Sequence, residues 1–423
     1  MTPRGSRLTS AAAAAVTAAA MLAGCGVLGG SAASDSTKPI LVGISLSLTG
    51  GFSADGQAFE RGYRLWQDDV NSHGGLIGRQ VKLIILDDNS SPTKVVTNYK
   101  KLITVDHVEL TFGPFSSLLT KPAAQAVAPY GYAMIEGAGA AESVFRSQSN
   151  LKYHNIFCPS LPVRYYMTPF TNWIKSLPPG QRPKTAAYPS SNDPFALPAV
   201  LQAQKVLQGL GVKTVYTTSK NLGWDETSMS AIKASAQATA SSGAQLVVLG
   251  STAVPTVSAF MKTFEQNKYL PKIFIATAGP DQGQAFLGKV GKANADGVMV
   301  PGGWYGEYAN PLSNVMVEDY IAHYGGTAAS INADVAEAYS VGQVAADAVT
   351  VTGGTDNAKI IKYLHNGVTL ETVQGSVLFD SLGENPGSVG FISQWQNGNF
   401  LQVLPPGVSG SSKIWPVKPA WGV

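Results

Sequence analysis

From Ile40 onward the chain switches repeatedly between short apolar runs and amphipathic stretches, and this restricts its fold more than any other feature. ILVGISLSL (40–48) holds β-branched and leucine side chains and no charge, the composition of a buried strand. In the stretch that follows, Phe59, Tyr63, Trp66 and Val70 recur at spacings of four, three and four, so they share one helix face. Ser53 or Asp55 is placed to cap its start, and Gly74-Gly75 stops it. VKLIILDD (81–88) reads as a strand and TKVVTNYKKLIT as a helix; VELTFG (108–113), a short helix near 117–129 and YAMIEG (132–137) continue the alternation. Strands alternating with helices imply a parallel sheet covered on both faces.

After a break rich in proline and aromatics (153–183), the pattern restarts. TAAYP (185–189), VKTVYTT (212–218), AQLVVLG (244–250), KIFIATA (272–278) and GVMVPG (297–302) read as strands, with helices around 196–209, 227–241 and 255–267 between them. Two α/β sets of similar size in a chain of 423 residues imply two lobes. A helix is expected over ADVAEAYSVGQVAADAVTV, with Val335, Tyr339, Gly342, Ala346 and Val349 on one face. Near the end, Asn397-Gly398 suits a type I′ hairpin turn. Trp66 and Trp395 read as core or hairpin residues.

The first 24 residues have the layout of a secretory signal: Arg4 and Arg7, an alanine-rich run from Ala11 to Leu22, then small residues before Cys25. Leu22-Ala23-Gly24-Cys25 resembles the lipobox of bacterial lipoproteins, in which the cysteine becomes the lipidated first residue. The apolar run is short for a span of about 20 residues across a bilayer. GVLGGSAASDSTK (26–38) then reads as a flexible tether. With Cys25 acylated, Cys158 is the remaining thiol, which leaves no internal disulfide. A net charge of +3, without basic runs interleaved with aromatics, gives no footprint for nucleic acid.

The chemistry of turnover is missing. The chain has no G-x-x-x-x-G-K-[ST] cradle, no G-x-G-x-x-G after the first strand, no G-x-S-x-G elbow and no H-E-x-x-H. Its histidines (His73, His107, His154, His323 and His365) are scattered, so no metal set is expected. Asp87-Asp88 is a paired acid at a strand end, a position more often structural than catalytic. Binding without a cofactor is therefore expected in place of catalysis. The glycine- and hydroxyl-rich loop LTGGFSADG (48–56) is suited to a phosphate, a cofactor or a small polar ligand.

The order of features narrows this choice. L-T-G after the first strand, then N-x-x-G-G-L-x-G, the D-D-x-x-x-P turn, and ETVQGSVLFDSLGENPG (371–387) near the end together resemble the branched-chain amino-acid-binding proteins of ABC importers. The likeness spans nearly all of residues 39–405. It implies a type I solute-binding fold: two doubly wound α/β lobes joined by three crossovers, closing on a ligand at the hinge. Residues 1–24 would be the signal peptide and 25–38 the lipid-anchored tether. Lobe 1 would take 39–159 and 300–380, and lobe 2 would take 160–299 and 381–418.

By the resemblance, Ser117 stands where the family binds a ligand carboxylate with a hydroxyl and a backbone amide; a simple N-cap is the plainer reading, and one residue can serve both roles. Ala138 and Ala140 fall at contact positions of the third loop, and Asp55 stands where the family has a tyrosine. In the second lobe, Asp193 or Phe195 and Thr252 fall at positions that are aromatic in the family. The acid expected to pair with an α-ammonium group aligns with Ala278, so either Asp55 or Asp193 takes over that pairing or the ligand is not an α-amino acid. Trp304 and Tyr305 lie at a crossover, as an aromatic wall or as hinge packing. The function implied is an extracytoplasmic lipoprotein that captures an amino acid, amide or small organic acid and delivers it to ABC permease subunits. Its rivals are a ligand sensor of the same fold and, more distantly, a doubly wound enzyme.

Overall fold

The computed structural model describes residues 38–146, 154–218, 223–308 and 310–422. The leader, Cys25 and the tether as far as residue 37 lie outside them.

The first run of strands forms one parallel sheet. Its members are β1 (Ile40–Leu46), β2 (Val81–Asp87), β3 (Leu110–Phe112), β4 (Met134–Ile135) and β5 (Ile156–Phe157), in the order β2-β1-β3-β4-β5. The second run gives β6 (Thr185–Tyr188), β7 (Lys213–Thr217), β8 (Leu246–Leu249), β9 (Ile273–Ala276) and β10 (Val298–Gly302). These five are ordered β10-β9-β8-β6-β7, which repeats the topology of the first sheet. A small ribbon, β11 (Leu370–Thr372) with β12 (Gly375–Val377), precedes the final hairpin. That hairpin, β13 (Phe391–Gln396) and β14 (Asn399–Leu404), adds to the second sheet antiparallel beside β10. Its turn places Asn397 and Gly398 at φ of 52° and 73°, as the type I′ reading requires.

The second sheet is apolar on both faces because both are covered. Leu246 and Val248 of β8 point into a core shared with the first sheet, while Val247 and Leu249 point into a separate core with Phe260, Phe264 and Phe274. The chain passes between the sheets after β5, after β10 and after β12, the three crossovers expected.

The helices that frame the site are α1 (Ser53–Ser72), α2 (Pro92–Thr104), α3 (Ser117–Val127), α4 (Ala196–Gly209), α5 (Met229–Ser241), α6 (Val254–Gln266), α7 (Gly283–Val290), α8 (Pro311–Tyr324) and α9 (Ala333–Thr352). Helices α1 and α9 pack so closely that two glycines are obligatory. A Cβ on Gly62 would lie 2.3 Å from the Val335 carbonyl oxygen, and one on Gly342 would lie 2.2 Å from the Trp66 ring. Trp66 fills the space so left, buried against Phe112. Trp395 is also buried, and its indole N–H donates to the Pro280 carbonyl. The expected cap of α1 does not form: Phe52 occupies the N-cap position without a side-chain hydrogen bond, and Asp55 falls in the first turn.

Candidate functional site

In doubly wound sheets the strand order reverses at a switch point, and ligands meet the loops beyond the carboxyl ends of the strands there. Both sheets have such a point, at β1/β3 and at β6/β8. Their loops converge on one cleft. From the first lobe come Asp55 after β1, Phe115 and Ser116 after β3, Ala138 after β4, and Asp334 and Glu337 at the start of α9. Phe195, Thr252, Thr277, Ala278 and Asp281 follow strands of the second sheet. Crossover segments add Tyr166, Trp304, Tyr305 and the exposed Glu307.

The loop that carries Asp55 is held from below by the paired acids. Asp88, fully buried, accepts from the Ser47 and Ser45 hydroxyls at 2.7 and 3.0 Å and from the Ser90 N–H at 2.9 Å. Asp87 accepts from the Thr49 hydroxyl at 2.6 Å and the Leu48 N–H at 3.1 Å. Both acids are therefore structural. A similar support lies under the second lobe: Glu226 accepts from the Thr252 N–H at 3.1 Å and from the Thr256 hydroxyl, and burial pushes its carboxyl up to about 7.

Several residues singled out in the sequence line the cleft: Asp55, Ala138, Phe195, Thr252, Trp304 and Tyr305. Three do not. Ser117 is fully buried one step behind the wall, where its Oγ accepts from the Ala141 N–H at 3.1 Å. Its neighbour Ser116 faces the cleft, held at φ 71° as the N-cap of α3. The Ala140 carbonyl accepts from the Val163 N–H at 2.9 Å, which ties that residue to the first crossover. Asp193 closes the turn before α4, its Oδ1 accepting from the Phe195 and Ala196 N–H groups at 2.7 and 3.0 Å. Phe195, the alternative at that turn, is the one in the wall, packed edge to face on Tyr166 at 4.9 Å.

Trp304 and Tyr305 combine both roles weighed for them. Each lines the cleft, while the Trp304 indole donates to the Ser313 Oγ at 3.0 Å and the Tyr305 hydroxyl to the Ser409 carbonyl at 2.8 Å.

Sequence reasoning missed Asp281, Asp334, Glu337 and Gln282. Asp281 stands three positions beyond Ala278, the aligned position, in the same loop, with Oδ1 accepting from the Gly279 N–H at 2.7 Å. Asp334 and Glu337 are spaced three apart in ADVAEA, so two acids share the buried side of a helix start that is otherwise alanine and valine. That spacing was the available signal. Gln282 reaches across the cleft, its Nε2 donating to Asp55 Oδ1 at 2.5 Å and to Asp334 Oδ2 at 3.0 Å. Burial, with Asp334 and Asp281 facing it, pushes the Asp55 carboxyl well above the usual range; burial and Asp281 do the same to Asp334. Among the described residues no group of His, Cys, Asp and Glu is suited to hold a metal ion, and no helix is long and apolar enough to cross a membrane.

Two α/β lobes that turn strand-tip loops toward one shared cleft define the type I solute-binding class. Residues 39–399 match the family described as Periplasmic binding protein, and the chain belongs to that family. Its curated relatives include the Leu/Ile/Val-binding protein homologs 1 and 2 of Brucella abortus (strain 2308). Homolog 1 is 34% identical over 103 residues (24% of this chain, 26% of that protein). For homolog 2 the identity is 31% over 96 residues (23% and 26%), so the match spans about a quarter of either relative. Solved structures of the same fold include the leucine-binding protein LivK of Thermotoga maritima, with a TM-score of 0.72 at 16% identity over 86% of this chain and 97% of that one. A solute-binding protein of R. palustris in complex with 4-hydroxybenzoate superimposes with a TM-score of 0.69 at 18% identity, over 92% and 99%.

Proposed function

We propose that the protein is the extracytoplasmic solute-binding component of an ABC importer. It captures one small polar molecule in the interlobe cleft by hinge closure and passes it unchanged to permease subunits. The observation that carries this reading is the wall itself: matching switch-point loops of two lobes enclose one space, and beside it Gln282 of the second lobe reaches both Asp55 and Asp334 of the first. A ligand that meets both lobes favours the closed arrangement by the difference in its contacts with the two states. Relatives named as Leu/Ile/Val-binding protein homologs, and structures of the same fold in complex with 4-hydroxybenzoate and benzoate, are consistent with such a site.

A lipid on Cys25 would hold the body at the membrane, with 39–159 and 300–380 as one lobe and 160–299 and 381–418 as the other. Cys25→Ser should move the protein out of the membrane fraction, and retention there would remove the anchor from this reading. Thermal-shift measurements over amino acids, amides, amines and aromatic acids test the capture step. A stabilising compound recovered chemically unchanged supports it, whereas no stabilisation by any compound, or conversion to a product, contradicts it.

A further inference from the structure

The cleft has an unusual charge balance. Its lining includes five carboxylates, Asp55, Asp281, Glu307, Asp334 and Glu337, and no Lys, Arg or His among the described residues. Acids gathered in this way repel one another and lose hydration when ionised, a cost that is relieved either by holding protons or by taking up a cation. Arg61 on α1 acts on Asp334 from outside the wall. The nearest donor within reach is the Gln282 amide, a neutral group whose single nitrogen meets Asp55 and Asp334 together.

Two orphaned oxygens point to a missing occupant. Asp55 is 1% exposed and its Oδ2 has no hydrogen-bond partner; Thr252, 2% exposed, leaves its Oγ1 unpartnered in the facing wall. Buried polar atoms of this kind are normally satisfied. The rings of Tyr166, Phe195 and Trp304 complete the wall, and aromatic surfaces favour organic cations.

We propose that the cleft takes a solute of net positive charge, its ammonium group held among Asp55, Asp281 and Asp334 and enclosed by the rings of Tyr166, Phe195 and Trp304. This rests on the solute-binding reading above and narrows it. A benzoate-like anion would meet five carboxylates here without a balancing cation. A neutral zwitterion gains at its ammonium end, but its carboxylate meets neutral donors alone, among them the Ser116, Thr252 and Tyr166 hydroxyls, in a wall that holds five acids.

The charge arrangement also sets a proton linkage. The groups that face one another are Asp55 and Arg61 on α1, Asp334 and Glu337 on α9, Asp281 before α7, Glu136 after β4, Glu307 at the rim and the Tyr166 hydroxyl. Burial raises Asp281 to about 6 and pushes Asp55, Asp334 and Glu337 in the same direction, and a bound cation opposes that rise. Cation affinity therefore rises as pH rises through about 6, and binding releases protons to the buffer.

The test is calorimetric titration of the mature protein with putrescine, choline, L-lysine, L-leucine and benzoate. The proposal expects the tightest binding from one of the three cations, weakened about tenfold or more by Asp334→Asn or Asp281→Asn. The same substitutions should leave the unliganded protein as stable or more so, since Asn keeps the shape and accepting oxygen of the acid without the cost of ionising it in a buried site, and this separates lost binding from lost folding. Tightest binding by leucine or benzoate overturns the proposal and leaves the solute-binding reading standing. Failure of all five to bind overturns the proposal, and failure of the wider thermal-shift panel as well overturns the reading on which it rests.

Discussion

Ser117 shows how a single position in register changes a role. The sequence places it at the ligand, but Ser117 is the first residue of α3 and Ser116 its N-cap, so Ser116 takes the cleft while Ser117 turns inward to the Ala141 N–H. No periodicity in GPFSSLLT distinguishes the two serines; the positive φ of Ser116 does, and that is a property of the folded backbone. Ser117→Ala should therefore cost about 1–3 kcal/mol of stability, because it leaves a buried N–H unpaired. Ligand affinity should change little, and chemical denaturation alongside a binding titration separates the two effects. Asp55 was legible as a cleft residue because it sits in a recognisable loop. Its partner Gln282 was not, since the two meet across 227 positions of sequence.

Elements were far easier to read than contacts. The strands and helices follow from side-chain periods of two and 3.6, which are local, and the helix at Ala196–Gly209 lies where its apolar spacing put it. The closeness of α1 to α9 is not local. Gly342 looked like one member of an apolar face, yet its missing side chain is what admits Trp66. Gly342→Ala should accordingly destabilise the protein by about 1–3 kcal/mol through overpacking. Trp66→Phe in the same chain should recover part of that loss, measured as the coupling energy of a double-mutant cycle. Equal losses with and without the tryptophan would show that the contact is not the cause. Because Asp334 and Glu337 begin this same α9, its placement against α1 also sets the acidic side of the cleft.

At the scale of the whole molecule, buried carboxyls make the free protein sensitive to pH. Burial pushes Glu136 and Glu226 up to about 7 and Asp193 up to about 6. A carboxyl with a raised folded value holds its proton more tightly when folded, so its contribution is complete below the unfolded value and fades as pH rises through the folded one. The melting temperature of the unliganded protein should therefore climb as the buffer is taken from about pH 8 to about pH 5, the window these shifts define. A flat or opposite trend would mean that these groups are ionised at no cost. The two-lobed architecture was legible because its strand–helix pattern restarts once. The charge of the cleft was not, because it arises only where loops from both lobes meet.

Hydrogen–deuterium exchange with the most stabilising solute of the panel tests the shared cleft most directly. The account predicts simultaneous protection of segments from both lobes, around Asp55, Ser116 and Asp334 on one side and around Thr252 and Gln282 on the other. Protection confined to one lobe, or located away from these loops, would contradict it.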